Sequence, residues 1–461
     1  MPANGTFTYQ YIRAEPDGSF IYENTNRTIT TGGCDSTDGT QDSITTSSPP
    51  QNKFKRYAKA SSHNAALARR QTSEDAVGLP GRDLIDPAYT IDNEAGSISN
   101  RTMNTDLIHD GGWAEYDVHN LYGAMMSEAS RMAMQKRRPG LRPMIITRST
   151  FAGSGRQVGH WLGDNGAEWD YYLTSISQLL DFSSLFQFAF VGSDVCGFSG
   201  ETNENTCARW AALGAFSPFY RNHREVGYTP HEFYRSPLVA ESARTAIDIR
   251  YRLLDYIYTA MHAQSETGTP LIQPMFFAYP NDPSCNALQY QYLWGPGVLV
   301  APVTRENSTT ASFYLPDDVF YDFYTHETVR GRGETFTVDD VPFTSIPLYY
   351  KGGSIVAQRK NSANTTTALR GENFEIIVAP GLDGNASGEL YLDDGVSLEQ
   401  EATSLIKFAY DGANHRFSMT GTFDYDAGVR IEGITVLGMG SGPQPLKPIE
   451  VELTGPAEVK V

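Results

Sequence analysis

Positive charge is scarce in this chain. Its 461 residues carry 36 Lys and Arg against 54 Asp and Glu, a formal net charge of −18. That balance argues against nucleic acid and anionic membrane surfaces as partners. Long apolar runs are missing as well, and no stretch approaches the roughly 20 apolar residues of a membrane helix. The opening residues, MPANGTFTYQYI, show neither a basic n-region nor an apolar h-region, so no leader is visible. Four cysteines are too few for a disulfide scaffold. Cys196 and Cys207 bracket the loop GFSGETNENT, a spacing open either to a disulfide or to two reduced packing thiols. Cys34 sits in a polar tract and Cys285 follows PNDPS, and neither has a partner by sequence. The nine histidines are scattered without ligand spacing, so no metal is implied.

What is present is ordinary globular material, 40% hydrophobic and 12% aromatic, long enough for two or three domains with real cores. Six N-x-S/T sequons occur, at Asn4, Asn26, Asn100, Asn307, Asn364 and Asn385. Each is weak alone. Together they point toward a secreted, glycosylated protein whose leader lies outside this sequence.

Residues 1–80 read as a low-complexity linker or insert, with TTGGCDSTDGTQDSITTSSPP at the centre and a dibasic Arg69-Arg70 beyond. Structure is expected from about residue 81. A helix is expected from Asp117 to just before Pro139-Gly140. AEWDYYLTSISQLLDF places Trp169, Tyr172, Leu173, Ile176, Leu179 and Leu180 on one helical face. A further helix is expected over about 205–214. Ser236-Pro237 opens another, a cap followed by proline, running to Gly268 with a stripe of Ile247, Tyr251, Leu254, Tyr258 and Met261.

Between the helices lie short apolar runs that end in polar residues. MIIT ends at Arg148, FAFVG leads to Asp194, and AFSPF leads to Arg221 and His223. Short buried runs alternating with helices read as parallel strands of βαβ units. Polar residues at the carboxyl ends of such strands are where a (β/α) barrel keeps its site. IQPMFF (272–277) reads as a fourth buried strand. Beyond about 280 the texture changes to short strands separated by Gly, Pro, Asn and Asp, which suggests β-sandwiches. A polar run at 358–373 divides them. The expected fold class is therefore α/β plus all-β. The predicted domains are the C-terminal part of a (β/α)8 TIM barrel at 81–278, a proximal β-sandwich at 279–358 and a distal one at 359–461.

The run IITRSTFAGSG, GHWLGDN, GSDVCGF, CARW and AFSPFYRNH resembles the fungal α-glucosidases of glycoside hydrolase family 31. YDVHNLYG upstream, and SIPLYYKGGSI and GELYLDDG downstream, resemble the same family, so the likeness covers the chain from about residue 85 onward. The resemblance implies a retaining exo-glycosidase acting on terminal α-linked glucose of maltose-like substrates, without cofactor or metal. Other activities of the family, α-xylosidase or transglucosylase, and a non-catalytic carbohydrate-binding fragment are the alternatives.

By resemblance, Asp164 in HWLGDN is the general acid/base. Arg148, Asp194 and His223 hydrogen-bond the sugar, and Trp161 and Phe198 wall its subsite. A structural ion-pair network is the other reading of Arg148, Asp194 and His223, and core packing the other reading of the two aromatics. A retaining enzyme needs a second carboxylate about 5–5.5 Å away as nucleophile. The family carries it in a motif of the form W-x-D-M-N-E, upstream of YDVHNLYG, and no such motif occurs here. IDNEAG (91–96) contains Asp92, but no apolar strand ending in Trp precedes it, so Asp92 is not read as the nucleophile. The expectation is a chain holding the acid/base half of the site, with the upstream half of the same enzyme as its partner.

Overall fold

A computed structural model describes residues 112–438 and 447–461, with shorter stretches at 6–9, 12–14, 20–22, 26–30, 41–45, 84–85, 98–100 and 103–109. Cys34, Asp92, Asn4 and the Arg69-Arg70 pair lie outside the described residues. The chain divides into two units. One comprises Met1–Pro143 with Ser149–Phe151, the other Met144–Arg148 with Ala152–Val461.

Where composition suggests a linker, the first unit holds short strands. β1 (Thr6–Tyr9), β4 (Asn26–Thr30) and β5 (Gln41–Thr45) form one antiparallel sheet, and β2 (Ile12–Ala14) pairs with β3 (Phe20–Tyr22). The helix expected to start at Asp117 begins as a short turn at Glu115–Val118. It continues as α1 (Tyr122–Arg137), stopping just ahead of Pro139-Gly140.

The second unit opens with parallel strands. β6 (Ile146–Thr147), β7 (Gly159–Trp161) and β8 (Val191–Gly192) lie side by side, and β9 (Asp194–Val195) pairs in parallel with β10 (Arg221–Asn222). Helices alternate with them. α2 (Trp169–Leu180) buries Tyr172, Ile176, Leu179 and Leu180, the face that the apolar spacing predicts. α3 (Glu204–Gly214) is capped by Asn203, whose side chain accepts from the Thr206 amide at 2.9 Å. α4 (Pro237–Arg252) is capped by Ser236. This helix does not run unbroken to Gly268. Leu253 leaves helical geometry at φ −93°, ψ 10°, and α5 (Leu254–Thr267) starts anew. Leu253 is fully buried, and no Gly or Pro in the sequence signals the break.

IQPMFF is not a barrel strand. β11 (Ile272–Pro274) pairs antiparallel with β12 (Tyr292–Trp294), and Met275–Ala278 is a helical turn. An apolar run of this length is equally at home in a parallel or an antiparallel core, so periodicity alone does not separate the two. The sheet of β11 and β12 continues through β13 (Val298–Val300), β18 (Leu348–Lys351), β15 (Val319–Asp322) and β16 (Thr328–Arg330). β14 (Ala311–Leu315) and β17 (Glu334–Val338) pair separately. The distal sheet has eight strands. It starts at β19 (Ser354–Arg359) rather than at 359, and adds β20 (Phe374–Ala379), β21 (Ala386–Leu392), β22 (Ser404–Asp411), β23 (Arg416–Gly421), β24 (Arg430–Val436), β25 (Lys447–Glu452) and β26 (Ala457–Lys460).

β12, β13 and β20 are apolar and buried along most of their length because both of their faces are covered. Successive side chains alternate across a strand. Val298 and Val300 join a core shared with α2, α3 and α4, whereas Leu299 joins a second core with Phe313 and Phe320. Likewise Val356 and Ile377 face the shared core while Ile355, Phe374 and Ile376 face the distal one. The barrel helices thus complete their burial on the sandwiches. Arginines fasten the junction. Arg209 of α3 donates to the carbonyls of Ser308, Val341, Pro342 and Ser345 at 2.6–3.1 Å. Arg359 of β19, 1% exposed, grips the Asp255 carboxylate of α5 with Nε at 2.7 Å and Nη2 at 2.8 Å.

Removing one partner of a buried pair strands the other charge. Asp255→Ala is expected to lower the free energy of unfolding by about 3–5 kcal/mol. Glu458→Ala, which breaks the exposed Arg416–Glu458 pair, is expected to cost less than about 1 kcal/mol. Urea unfolding of both variants checks the difference.

Candidate active site at the strand ends

The parallel strands deliver their polar residues to one edge. Arg148 follows β6, Trp161 ends β7 with Asp164 shortly after, Asp194 opens β9, and His223 follows β10. Because the strands run in parallel, this edge is their carboxyl end, the side where barrel enzymes carry their sites. β7 itself is not evident in the sequence. It is three residues long, Gly-His-Trp, and carries no apolar alternation.

Asp194 and Arg221 are register partners across β9 and β10, so their side chains meet. Arg221 donates from Nε to Asp194 Oδ1 at 2.7 Å and from Nη2 to the same oxygen. Asp194 is fully buried. Burial pushes its carboxyl above the ordinary carboxylate range. The hydrogen bond and charge of Arg221 and the charge of His223 oppose the shift, and the charge of Asp164 adds to it. Its other oxygen, Oδ2, is buried and has no hydrogen-bond partner among the described residues. The Arg221 guanidinium in turn lies 5.6 Å from the Trp161 ring and 5.2 Å from Phe219. The sequence places Arg221 among the strand-end polar residues but assigns it no role. The signal available was its place at the end of AFSPFYR, one strand on from Asp194.

Asp164 sits on an exposed turn, and its Oδ2 is 3.9 Å from Arg148 Nη1. At 66% and 44% side-chain exposure, this pair adds little to stability. The turn is held by its neighbour Asn165, which is buried. The Asn165 side chain accepts from the Phe198 amide and donates to the Asp194 carbonyl, both at 3.0 Å. The Ala167 amide donates to the Ser199 carbonyl at 2.7 Å. Gly197 closes the contact at φ +85°, where a Cβ would run into Ala167 and the Gly166 carbonyl. Phe198 is thereby fixed, and its ring stacks on His223 at 5.2 Å and 29°. The sequence candidates Arg148, Trp161, Asp164, Asp194, Phe198 and His223 therefore share one face. Asn165 ties two of their loops together, a role that only the folded contacts show.

A disulfide joins Cys196 to Cys207, closing the loop that carries Phe198. Cys285 is a buried free thiol, pushed up to about 11 by burial and by Asp282. A second network supports His223. Arg224 bonds Glu201 Oε2 at 3.0 Å and His231 Nδ1 at 3.1 Å, and His231 Nε2 meets the His223 carbonyl at 3.3 Å. A His231 protonated on Nε2 alone satisfies both contacts. Burial, and then the Arg224 charge, hold its pKa below the usual histidine value. Of the sequons, Asn100, Asn307, Asn364 and Asn385 are exposed, Asn26 lies in β4, and Asn307 accepts a 3.0 Å bond from Asn205. No group of three or more metal-ligating side chains occurs among the described residues, and no helix among them is long and apolar enough to cross a membrane.

Known proteins resemble this chain in sequence and fold. Residues 82–260 match the family model of the glycosyl hydrolases family 31 TIM-barrel domain, and 268–356 that of the family 31 C-terminal domain. A probable alpha/beta-glucosidase of Aspergillus fumigatus is 54% identical over 410 residues, 86% of this chain and 46% of that protein. A family 31 glucosidase of Schizosaccharomyces pombe is 37% identical over 393 residues, 84% of this chain and 39% of that protein. Among solved structures, the glucosidase II alpha subunit superposes with a TM-score of 0.70 at 30% identity, covering 78% of this chain and 42% of that one. In a further structure that enzyme's catalytic subunit is bound to a domain of its regulatory subunit. The chain spans about half the length, or less, of the curated relatives it matches.

Two outcomes are expected. Cys207→Ser lowers stability to urea by about 3 kcal/mol, the entropy of one short loop. For His231 the folded pKa is depressed, so its contribution is present above about pH 6.5 and is lost as pH falls through the depressed value. The groups facing it are Arg224, Glu201 and Glu232. Between pH 7.5 and 5, urea midpoints are expected to fall less steeply for His231→Asn than for the parent chain.

Proposed function

The chain belongs to glycosyl hydrolase family 31, and from that premise we propose that it carries the acid/base half of a retaining exo-α-glucosidase site. The substrate is a terminal, non-reducing α-linked glucose of a maltose-like saccharide. The observation that carries this reading is the convergence of six polar and aromatic side chains at the carboxyl ends of the parallel strands, with Asp164 standing exposed among them. An acid/base must reach both the leaving oxygen and water, and Asp164 alone of the two acids at this face is open to solvent.

In this mechanism Asp164 gives its proton to the glycosidic oxygen and later takes one from the attacking water. Asp194, whose Oδ2 has no partner among the described residues, accepts from a sugar hydroxyl, and Arg148 and His223 bind further hydroxyls. Trp161 and Phe198 face the C–H surfaces of the ring. Arg221 is a positioning residue, since it holds the Asp194 carboxylate and touches Trp161. A retaining enzyme also needs a carboxylate nucleophile. Asp194 is committed to Arg221, so we assign that role to the upstream half of the enzyme, supplied as a subunit or as preceding chain. The disulfide and the exposed sequons support a secreted location.

The test is release of p-nitrophenol from p-nitrophenyl α-glucoside by this chain alone, then with an upstream half supplied from a relative. Activity only with both halves is expected, falling about 10²–10⁴-fold in Asp164→Asn. Activity from this chain alone refutes the split site and makes Asp92 the first residue to replace. Saccharide binding without turnover in either case leaves a non-catalytic binding fragment.

A further inference from the structure

A cavity of about 730 Å³ opens where α4 meets both sandwiches. That volume falls within the ~300–1,000 Å³ of small-molecule sites. None of the candidate active-site residues lines it. Its walls come from three parts of the fold. α4 supplies Arg244, Asp248 and Arg252, the proximal sandwich supplies Phe323, Tyr324, His326 and Tyr350, and the distal sheet supplies Gln358 and Glu375.

The charges cancel, two guanidinium groups against two carboxylates, and burial keeps His326 below the usual histidine value. Arg252 is engaged, 3.5 Å from Glu375 and bonded to the Arg359 carbonyl at 3.1 Å. Asp248 accepts from Ser362, and Arg244 has no ion pair among the described residues. Two buried polar atoms in the wall lack partners: Oε1 of Gln358, a residue 5% exposed, and Nδ1 of His326. Leaving such atoms unpaired is costly. The apolar part of the lining is aromatic. Phe323 stacks on Tyr350 at 4.9 Å and 26°. Tyr324 is 44% exposed, and its ring is pinned by a bond from its hydroxyl to the Ile346 carbonyl at 2.8 Å.

An ion gains little in a pocket whose charges cancel. A purely apolar ligand leaves Gln358 Oε1 without a donor and gives Arg244 no acceptor. A neutral ligand with many hydroxyls and apolar C–H faces meets both conditions, since it can donate to Gln358 Oε1, accept from Arg244 and lie against an aromatic ring. We infer that this cavity is a second binding site that takes a short neutral oligosaccharide. The inference concerns a separate cavity and does not depend on turnover at Asp164.

The test is calorimetric titration of the full chain with maltotriose and with cellotriose, using inorganic phosphate as the ionic probe. Asp164→Asn with His223→Ala silences the strand-end face in the same molecule. One saccharide site is expected to remain, and Tyr324→Ala and Arg244→Ala are each expected to weaken it about tenfold. Arg244 is exposed on its helix, so its loss leaves the fold intact even where the tyrosine variant unfolds. The inference is overturned when no trisaccharide binds the silenced chain. It is equally overturned when residual binding ignores both Tyr324→Ala and Arg244→Ala, or when phosphate outcompetes the sugars. Glycosidase inactivity alone leaves the result unchanged.

Discussion

A carboxylate sealed from water has to be met by a fixed cation, and the strand-end face depends on how Asp194 meets that demand. Its partner, Arg221, is set opposite by strand register rather than by a flexible loop. Bonding one oxygen twice leaves the other free, and it positions the guanidinium between Trp161 and Phe219. The Asp194 main chain is used as well, because its carbonyl anchors Asn165 and hence the turn that presents Asp164. One ion pair thus fixes an acid, an aromatic wall and the loop of a second acid.

That face rests on a base that the parallel strands alone do not provide. Strands of two or three residues make few ladder bonds, and the second face of each helix still needs cover. The sandwiches provide it. A single core runs from Val158 through Trp210 and Trp294 to Leu437. Arg209, Arg250 and Arg359 spend their donors on carbonyls or a carboxylate at its seams, with Arg250 reaching the Ala215, Ser217 and Pro218 carbonyls at 2.6–2.8 Å. Burial and geometry make these contacts directional, so they set how helix and sheet sit as well as whether they associate.

This dependence explains what the sequence shows and what it hides. α2 is legible because one face meets one core, and the predicted stripe is the buried one. α4 and α5 are less so. Ile247, Leu254 and Met261 of the expected stripe are only partly buried, while Val239, Ala243, Ala246 and Ile257 lie deeper. Those helices pack between layers, so a single stripe is the wrong template. The expected strand at AFSPF fails for a local reason. Ser217 and Pro218 hold a bend, and pairing begins only at Arg221. The candidate site residues were legible as a resemblance at strand ends. The roles of Arg221, Asn165 and the Arg224–His231 support were not, because they arise from contacts across 27 to 33 residues of chain, or across a loop that sequence does not fold.

Unsatisfied polar atoms offer a further way to read such a molecule, provided their surroundings are weighed. Arg209 Nε and Trp294 Nε1 are also unpaired, but both sit at a packed seam or core whose remaining contacts are already made. Asp194 Oδ2 and Gln358 Oε1 differ. Each belongs to a side chain at least nine-tenths buried, and each stands beside aromatic surface and further polar groups, at the strand-end face in one case and at the α4 cavity in the other. Folding leaves these acceptors without donors where an incoming hydroxyl can supply them. An acidic hollow at Glu168, Asp170, Glu201 and Glu306 shows the contrast, because none of its carboxylates is both deeply buried and unpaired. By this criterion a deep acceptor left open beside a ring tells more about where a hydroxyl-bearing ligand would fit than the size of the hollow around it.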